Sequence, residues 1–279
     1  MKYLLITSLF VAIAISEAHG SNGQREETIC GALKERFLFL IWSAITPEPD
    51  PARITAHPNI EATEFLTGDE KKLRGYKFSA HDESGDAIAP KGYVLMALGN
   101  AMIADQMIGE LADYAKRGFD AYIYDYRGYG SSDGKRRIKA IIEDYKEIIS
   151  DLNGRYERKM LYGISFGGIV ILNAIGSGLE FDSAVIDSSP SRLSDMGCPS
   201  YIDPISHLSE SFSSKLLIVT GEQDQVLDSS MTRELREKAD QIGARTINGI
   251  EFAHPYMDSS NEVHNLRTKL IRDHLLMGN

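Results

Sequence analysis

Cysteine is scarce in this chain: 2 among 279 residues, too few for the framework of a disulfide-stapled miniprotein. No internal repeat, low-complexity block or Pro/Gly/Ser-rich linker interrupts it, which excludes collagen-like and disordered organisation. Positive charge is also in short supply. Lys and Arg number 30 against 40 Asp and Glu, a formal net charge of −10, and no basic run exceeds Lys135-Arg136-Arg137. Phosphate is first held by a concentrated positive face, so no nucleic-acid partner is expected, and the net charge opposes an anionic membrane. No Cys–His spacing resembles a metal site. Long apolar runs are missing too: Tyr3 to Ile15 is almost unbroken but shorter than the ~20 residues a membrane span needs.

What is present is ordinary globular material, 43% hydrophobic and 25% charged. A single α/β domain of ~250 residues buries about three quarters of its unfolded surface and needs no staples. One positive charge at Lys2, the short apolar run, and the small residues around Ser16-Glu17-Ala18-His19-Gly20 have the three-part layout of a secretory leader. Residues 1–20 are therefore expected to be a signal peptide, with a retained anchor as the alternative, and the mature protein is expected to be secreted or periplasmic. In an oxidising compartment Cys30 and Cys198 either pair or remain as two buried thiols.

Residues 21–60 form an N-terminal helical and extended segment. At its centre, Phe37-Leu38-Phe39-Leu40-Ile41-Trp42 is read first as part of a helix lying against the main core and second as an interfacial membrane contact. Pro47, Pro49 and Pro51 break regular structure before the main domain, residues 61–279. Strand signals fall at 61–66, 73–79, 93–98, 121–124, 159–162, 183–186, 215–219 and 246–252. Between them, apolar residues recur at helical spacing: Ile103, Met107, Leu111 and Tyr114 in one helix, and Ile138 through Leu152 in another. A third helix, 166–176, is apolar nearly all round and should be central; two more end the chain. This alternation implies a mostly parallel, eight-stranded sheet covered by helices on both faces, with ligands beyond the carboxyl ends of its strands.

Gly163-Ile164-Ser165-Phe166-Gly167 lies between a strand and the buried helix, the context in which a serine sits on a sharp turn with its hydroxyl exposed. A purely structural turn is the alternative. A serine hydroxyl needs a base, and of seven histidines only His254 follows the last strand and precedes the last helix. Asp224, after the preceding strand, completes the order Ser…Asp…His; Asp187 is the rival acid, and Glu222 is assigned to the loop. Main-chain N–H groups of Phe166 and Asn100, with Ala101 as substitute, are the candidate oxyanion donors.

Together with the turn Leu98-Gly99-Asn100-Ala101 and the block Tyr124-Asp125-Tyr126-Arg127-Gly128-Tyr129-Gly130, these residues resemble the α/β-hydrolases. The likeness runs from about Glu61 to the C-terminus and is greatest to the branch of small esterases and depalmitoylating thioesterases. One departure stands out: that branch usually has histidine where this chain has Leu98. The resemblance implies a serine hydrolase acting on a small-molecule or acylated ester or thioester, with no cofactor and little or no cap domain. A peptidase of the same fold and a non-catalytic binding protein are the alternatives. Asp125 and Arg127 are read as a charge pair bracing their own loop, and the roughly 25-residue connection after Asp187 as a light cover.

Overall fold

The computed structural model describes residues 25–43, 46–55 and 57–276, so the leader expected at 1–20 lies outside the described residues. Eight strands form one sheet: β1 (Ile60–Leu66), β2 (Lys72–Phe78), β3 (Gly92–Ala97), β4 (Asp120–Tyr124), β5 (Arg158–Ile164), β6 (Ser183–Asp187), β7 (Leu216–Gly221) and β8 (Arg245–Gly249). Their spatial order is β1-β2-β4-β3-β5-β6-β7-β8. The first two strands join by antiparallel pairing and the rest run parallel. Every residue of β3, β4, β6 and β7 is buried, so helices cover both faces there.

Among the described residues five helices exceed ten residues: α1 (Ala32–Ser43), α2 (Ile138–Asn153), α3 (Phe166–Gly176), α4 (Ser229–Gln241) and α5 (Asn261–Leu275). In α2 the spacing of Ile138, Ile141, Tyr145, Ile148 and Leu152 turns one stripe inward, and all five are buried. In α3 every residue from Phe166 to Ile175 is buried, as its uniform apolarity requires.

Three expectations need correction. The single helix expected after β3 is three short pieces: Ala104–Met107, a 3₁₀ turn at Ile108–Leu111, and Ala112–Ala115. Gly109 lies at that break, and the tighter turn still buries Ile103, Met107, Leu111 and Tyr114. The last strand ends at Gly249 rather than at 252. A Cβ at Gly249 would lie 2.3 Å from the Phe252 ring, because the chain folds back there.

The third correction concerns Arg127, which does not pair with Asp125. It is fully buried and donates to Asp69 (2.6 and 2.7 Å) and Asp144 (2.8 Å). Asp125 instead accepts the N–H groups of Ala104 (2.7 Å) and Ser131 (3.3 Å). Sequence proximity suggested the pair, but a turn can direct adjacent side chains to opposite sides.

The N-terminal segment is tied into the domain. Arg25 reaches Asp144 (2.9 Å) and Glu147 (2.7 Å), and Cys30 is disulfide-bonded to Cys198, 168 positions away. Cys198 belongs to the connection after β6, which is built of short 3₁₀ turns rather than a helical cap. Asp203 holds that connection together, accepting from the backbone of Leu193 (2.7 Å) and Ser194 (2.8 Å) and from the Ser194 hydroxyl (2.6 Å).

Candidate active site

Ser165 stands between β5 and α3 with φ 51° and ψ −112°, a conformation that costs a non-glycine residue about 1–3 kcal/mol. The turn is held by its surroundings. The Ser165 N–H donates to the Asp187 carbonyl at 2.8 Å, and its own carbonyl accepts from Gly168 at 2.9 Å. The two flanking glycines are steric requirements: a Cβ at 163 would meet the Gly167 oxygen at 2.6 Å, and one at 167 the Ala97 oxygen at 2.0 Å.

Asp224 follows β7 and is buried. One oxygen accepts the N–H groups of Val226 and Leu227, each at 2.9 Å; the other faces His254 Nδ1 at 2.9 Å. Burial pushes the carboxyl pKa up, but the His254 bond and the two amides outweigh it and hold Asp224 below the usual range. An ionised carboxylate only accepts, so Nδ1 carries the hydrogen, and in the neutral ring Nε2 then keeps its lone pair.

Asp187 is committed elsewhere: the Arg267 guanidinium engages it at 2.6 Å, and both are buried. Glu222 accepts from the Asn248 amide at 3.0 Å. The same Arg267 donates to the Ala253 carbonyl at 2.7 Å, and Asp258 accepts the Ala253 N–H at 2.9 Å. The residue before His254 is thus fixed at both of its backbone groups.

Ser165 and His254 line one pocket of about 580 Å³ with the Gly99–Met102 turn. The walls are apolar, and Met102, Met107, Met196, Met231 and Met257 contribute to them. Methionine is unbranched and adapts to varied apolar shapes. Among the described lining residues Glu110 is the one acidic side chain and His254 the one histidine. Among the described residues, no group of three or more His, Cys, Asp or Glu is arranged to hold a metal ion.

Tyr129 and Leu38, like Arg267, escaped the sequence reading of this site. The Tyr129 hydroxyl donates to Asn100 Oδ1 at 2.5 Å, in the turn where Ala101 has φ 70°. Asn100 in turn donates to the Leu38 carbonyl of α1 at 3.5 Å, and Leu38 lines the pocket. Tyr129 therefore braces the turn carrying the Asn100 amide. The glycine-rich block signalled Tyr129 only as a loop residue, and nothing in the sequence oriented α1 over the pocket.

Comparison with known proteins agrees with this architecture. Residues 88–208 match the family described as serine aminopeptidase, S33, a span that includes Ser165 and stops short of Asp224 and His254. A polyketide transferase, claH, of Penicillium crustosum is 32% identical over 126 residues, 42% of this chain and 40% of that protein. The Escherichia coli K12 protein YfhR, itself uncharacterized, is 30% identical over 123 residues, 42% of each chain. The chain thus aligns with about two fifths of the length of these relatives. Among solved structures, an esterase of Pyrococcus furiosus superposes with a TM-score of 0.61 at 16% identity, covering 82% of this chain and 96% of that one. An esterase of Exiguobacterium antarcticum gives 0.59 at 16% identity, covering 76% and 98%. At such identity the likeness speaks for the fold. The sheet order, the strained serine turn and these superpositions give the chain the α/β-hydrolase fold.

Proposed function

We propose that this α/β-hydrolase cleaves carboxylic esters or thioesters through a Ser165–His254–Asp224 triad and an acyl-enzyme. The observation that carries the reading is the His254 Nδ1–Asp224 contact of 2.9 Å, with His254 and the strained Ser165 lining the same pocket. Ser165 Oγ attacks the acyl carbon as its proton passes to His254 Nε2, and Asp224 stabilises the imidazolium formed. The backbone N–H groups of Phe166 and Asn100 hold the oxyanion. Collapse expels the alcohol or thiol, which takes the proton from His254. Water then repeats the sequence on the acyl-enzyme, releasing the acid and restoring Ser165. The apolar pocket suits the acyl portion of the substrate. The leader layout at 1–20 and the Cys30–Cys198 bond support an oxidising compartment outside the cytoplasm as the place of work.

A fluorophosphonate probe tests the assignment. Wild type is expected to label, and Ser165→Ala to lose labelling and ester turnover, the latter by on the order of 10⁴-fold or more. Equal labelling of a folded Ser165→Ala protein would overturn it. The S33 match over residues 88–208 favours a peptidase as the second reading. A panel pairing esters with aminoacyl and peptide amides separates the two: turnover of esters without amides supports the first.

A further inference from the structure

We propose that α1 docks this protein on the interfacial layer of a bilayer carrying anionic headgroups, beside the mouth of the substrate pocket. Between Phe37 and Trp42 the helix has six consecutive apolar residues, and a helix packed on a domain can hide only one face. Phe39 takes the inner position, buried against Phe166 and Tyr129 with ring centroids 5.9 and 6.4 Å apart. Leu38 borders the pocket. Leu33 and Phe37, one turn apart, face outward and are 83% and 62% exposed. Residues of this kind on a helix too short to span a membrane fit an orientation parallel to its surface.

The charge around them points to the partner. A groove of about 620 Å³ runs between α1 and the Gly134–Arg137 segment; among the described residues Arg36, Lys135, Arg136 and Arg137 line it, and no acidic residue does. Lys135 Nζ lies 3.9 Å from Glu26, which is mostly buried, and Glu35 of α1 is buried and accepts from the Ile138 N–H at 3.0 Å. Four cations are thus concentrated on one face of a chain whose net charge is −10. Arg136 is fixed in place, stacked 4.5 Å from the Tyr129 ring centroid and bonded to the Gly128 carbonyl at 2.9 Å. An anionic headgroup layer satisfies the cations while its hydrocarbon boundary takes up Leu33 and Phe37. A symmetric pairing with a second copy would bring the same cations together. The Cys30–Cys198 bond pins the start of α1, so this face keeps its orientation relative to the pocket. That Leu38 links the docking face to an acyl-binding pocket rests on the proposed hydrolase activity; the docking itself does not.

Co-sedimentation of the full chain with phosphatidylcholine vesicles, with and without phosphatidylglycerol, tests the proposal. Wild type is expected to bind the phosphatidylglycerol vesicles, less so as salt rises. A Leu33→Glu/Phe37→Glu variant should lose binding by roughly tenfold or more. Arg36→Gln/Lys135→Gln should lose the preference for phosphatidylglycerol. Both should retain turnover of a short soluble ester, which verifies folding. No vesicle binding by wild type, or unchanged binding by the Leu33/Phe37 variant, overturns the docking. So does light scattering that shows a wild-type dimer dispersed by the same substitutions, since the face then belongs to a second copy. If Ser165→Ala retains ester turnover, the hydrolase reading fails while the vesicle result stands.

Discussion

At the scale of single residues, the side chains that hold the site matter as much as those proposed to react. Arg267 links the end of β6, through Asp187 and Ser188, to the loop carrying His254, through Ala253 and Asp258. Arg267→Leu strands the buried Asp187 carboxylate, and urea unfolding should show a loss of about 3–5 kcal/mol. Arg267→Lys should recover part of the stability but not the forked geometry. Tyr129→Phe removes only a hydroxyl. It should lower kcat roughly tenfold with little change in KM, a smaller effect than losing an oxyanion donor outright, and steady-state kinetics on a soluble ester checks it. The strained Ser165 turn and the His254–Asp224 contact were legible because each of these residues follows a strand. Tyr129 and Arg267 were not: their partners lie 29 and 80 positions away, and only the folded chain brings them together.

Among the elements, those with one dominant periodicity were read best. The stripe of α2 and the uniform apolarity of α3 placed both helices within a residue or two. The segment after β3 was read as continuous because its buried set fits helical spacing, which cannot reveal a 3₁₀ interruption at Gly109. For α1 the sequence offered a helix but not its position, because a helix apolar on several sides has no single inward face. The Cys30–Cys198 bond supplies part of what the pattern lacks. Because it closes a loop of 168 positions, replacing both cysteines by serine should lower stability by at most about 5 kcal/mol, read as a fall in Tm. The same change frees the start of α1, so KM for long acyl esters should rise more than for short ones. Thiol titration of the native, unreduced protein should find no free cysteine, and two would refute the pairing.

For the whole molecule, stability depends on pH through buried carboxyls with opposite environments. Burial tends to raise Asp69, but its bonds with Arg127 and Thr67 prevail and bring it down to about 2. Its contribution is complete above the unfolded value of 3.8 and is lost as the pH falls through about 2. Asp125 is the reverse case. Burial raises it to about 6, the amides of Ala104 and Ser131 offset only part of that, and Asp105 adds repulsion. Between 3.8 and about 6 the native state holds a proton that the unfolded chain has released, so stability falls as pH rises across this window. Asp125→Asn cannot ionise. Its carbonyl can still accept from Ala104, while its amide cannot serve Ser131, a loss of about 1 kcal/mol that is the same at every pH. Urea unfolding of both proteins from pH 4 to 7 should therefore show wild type losing about 3 kcal/mol relative to the variant over the window, with the curves parallel above it. Curves parallel throughout would mean that Asp125 ionises alike in the folded and unfolded chains, and that its burial beneath the Tyr124–Gly130 block carries no electrostatic cost.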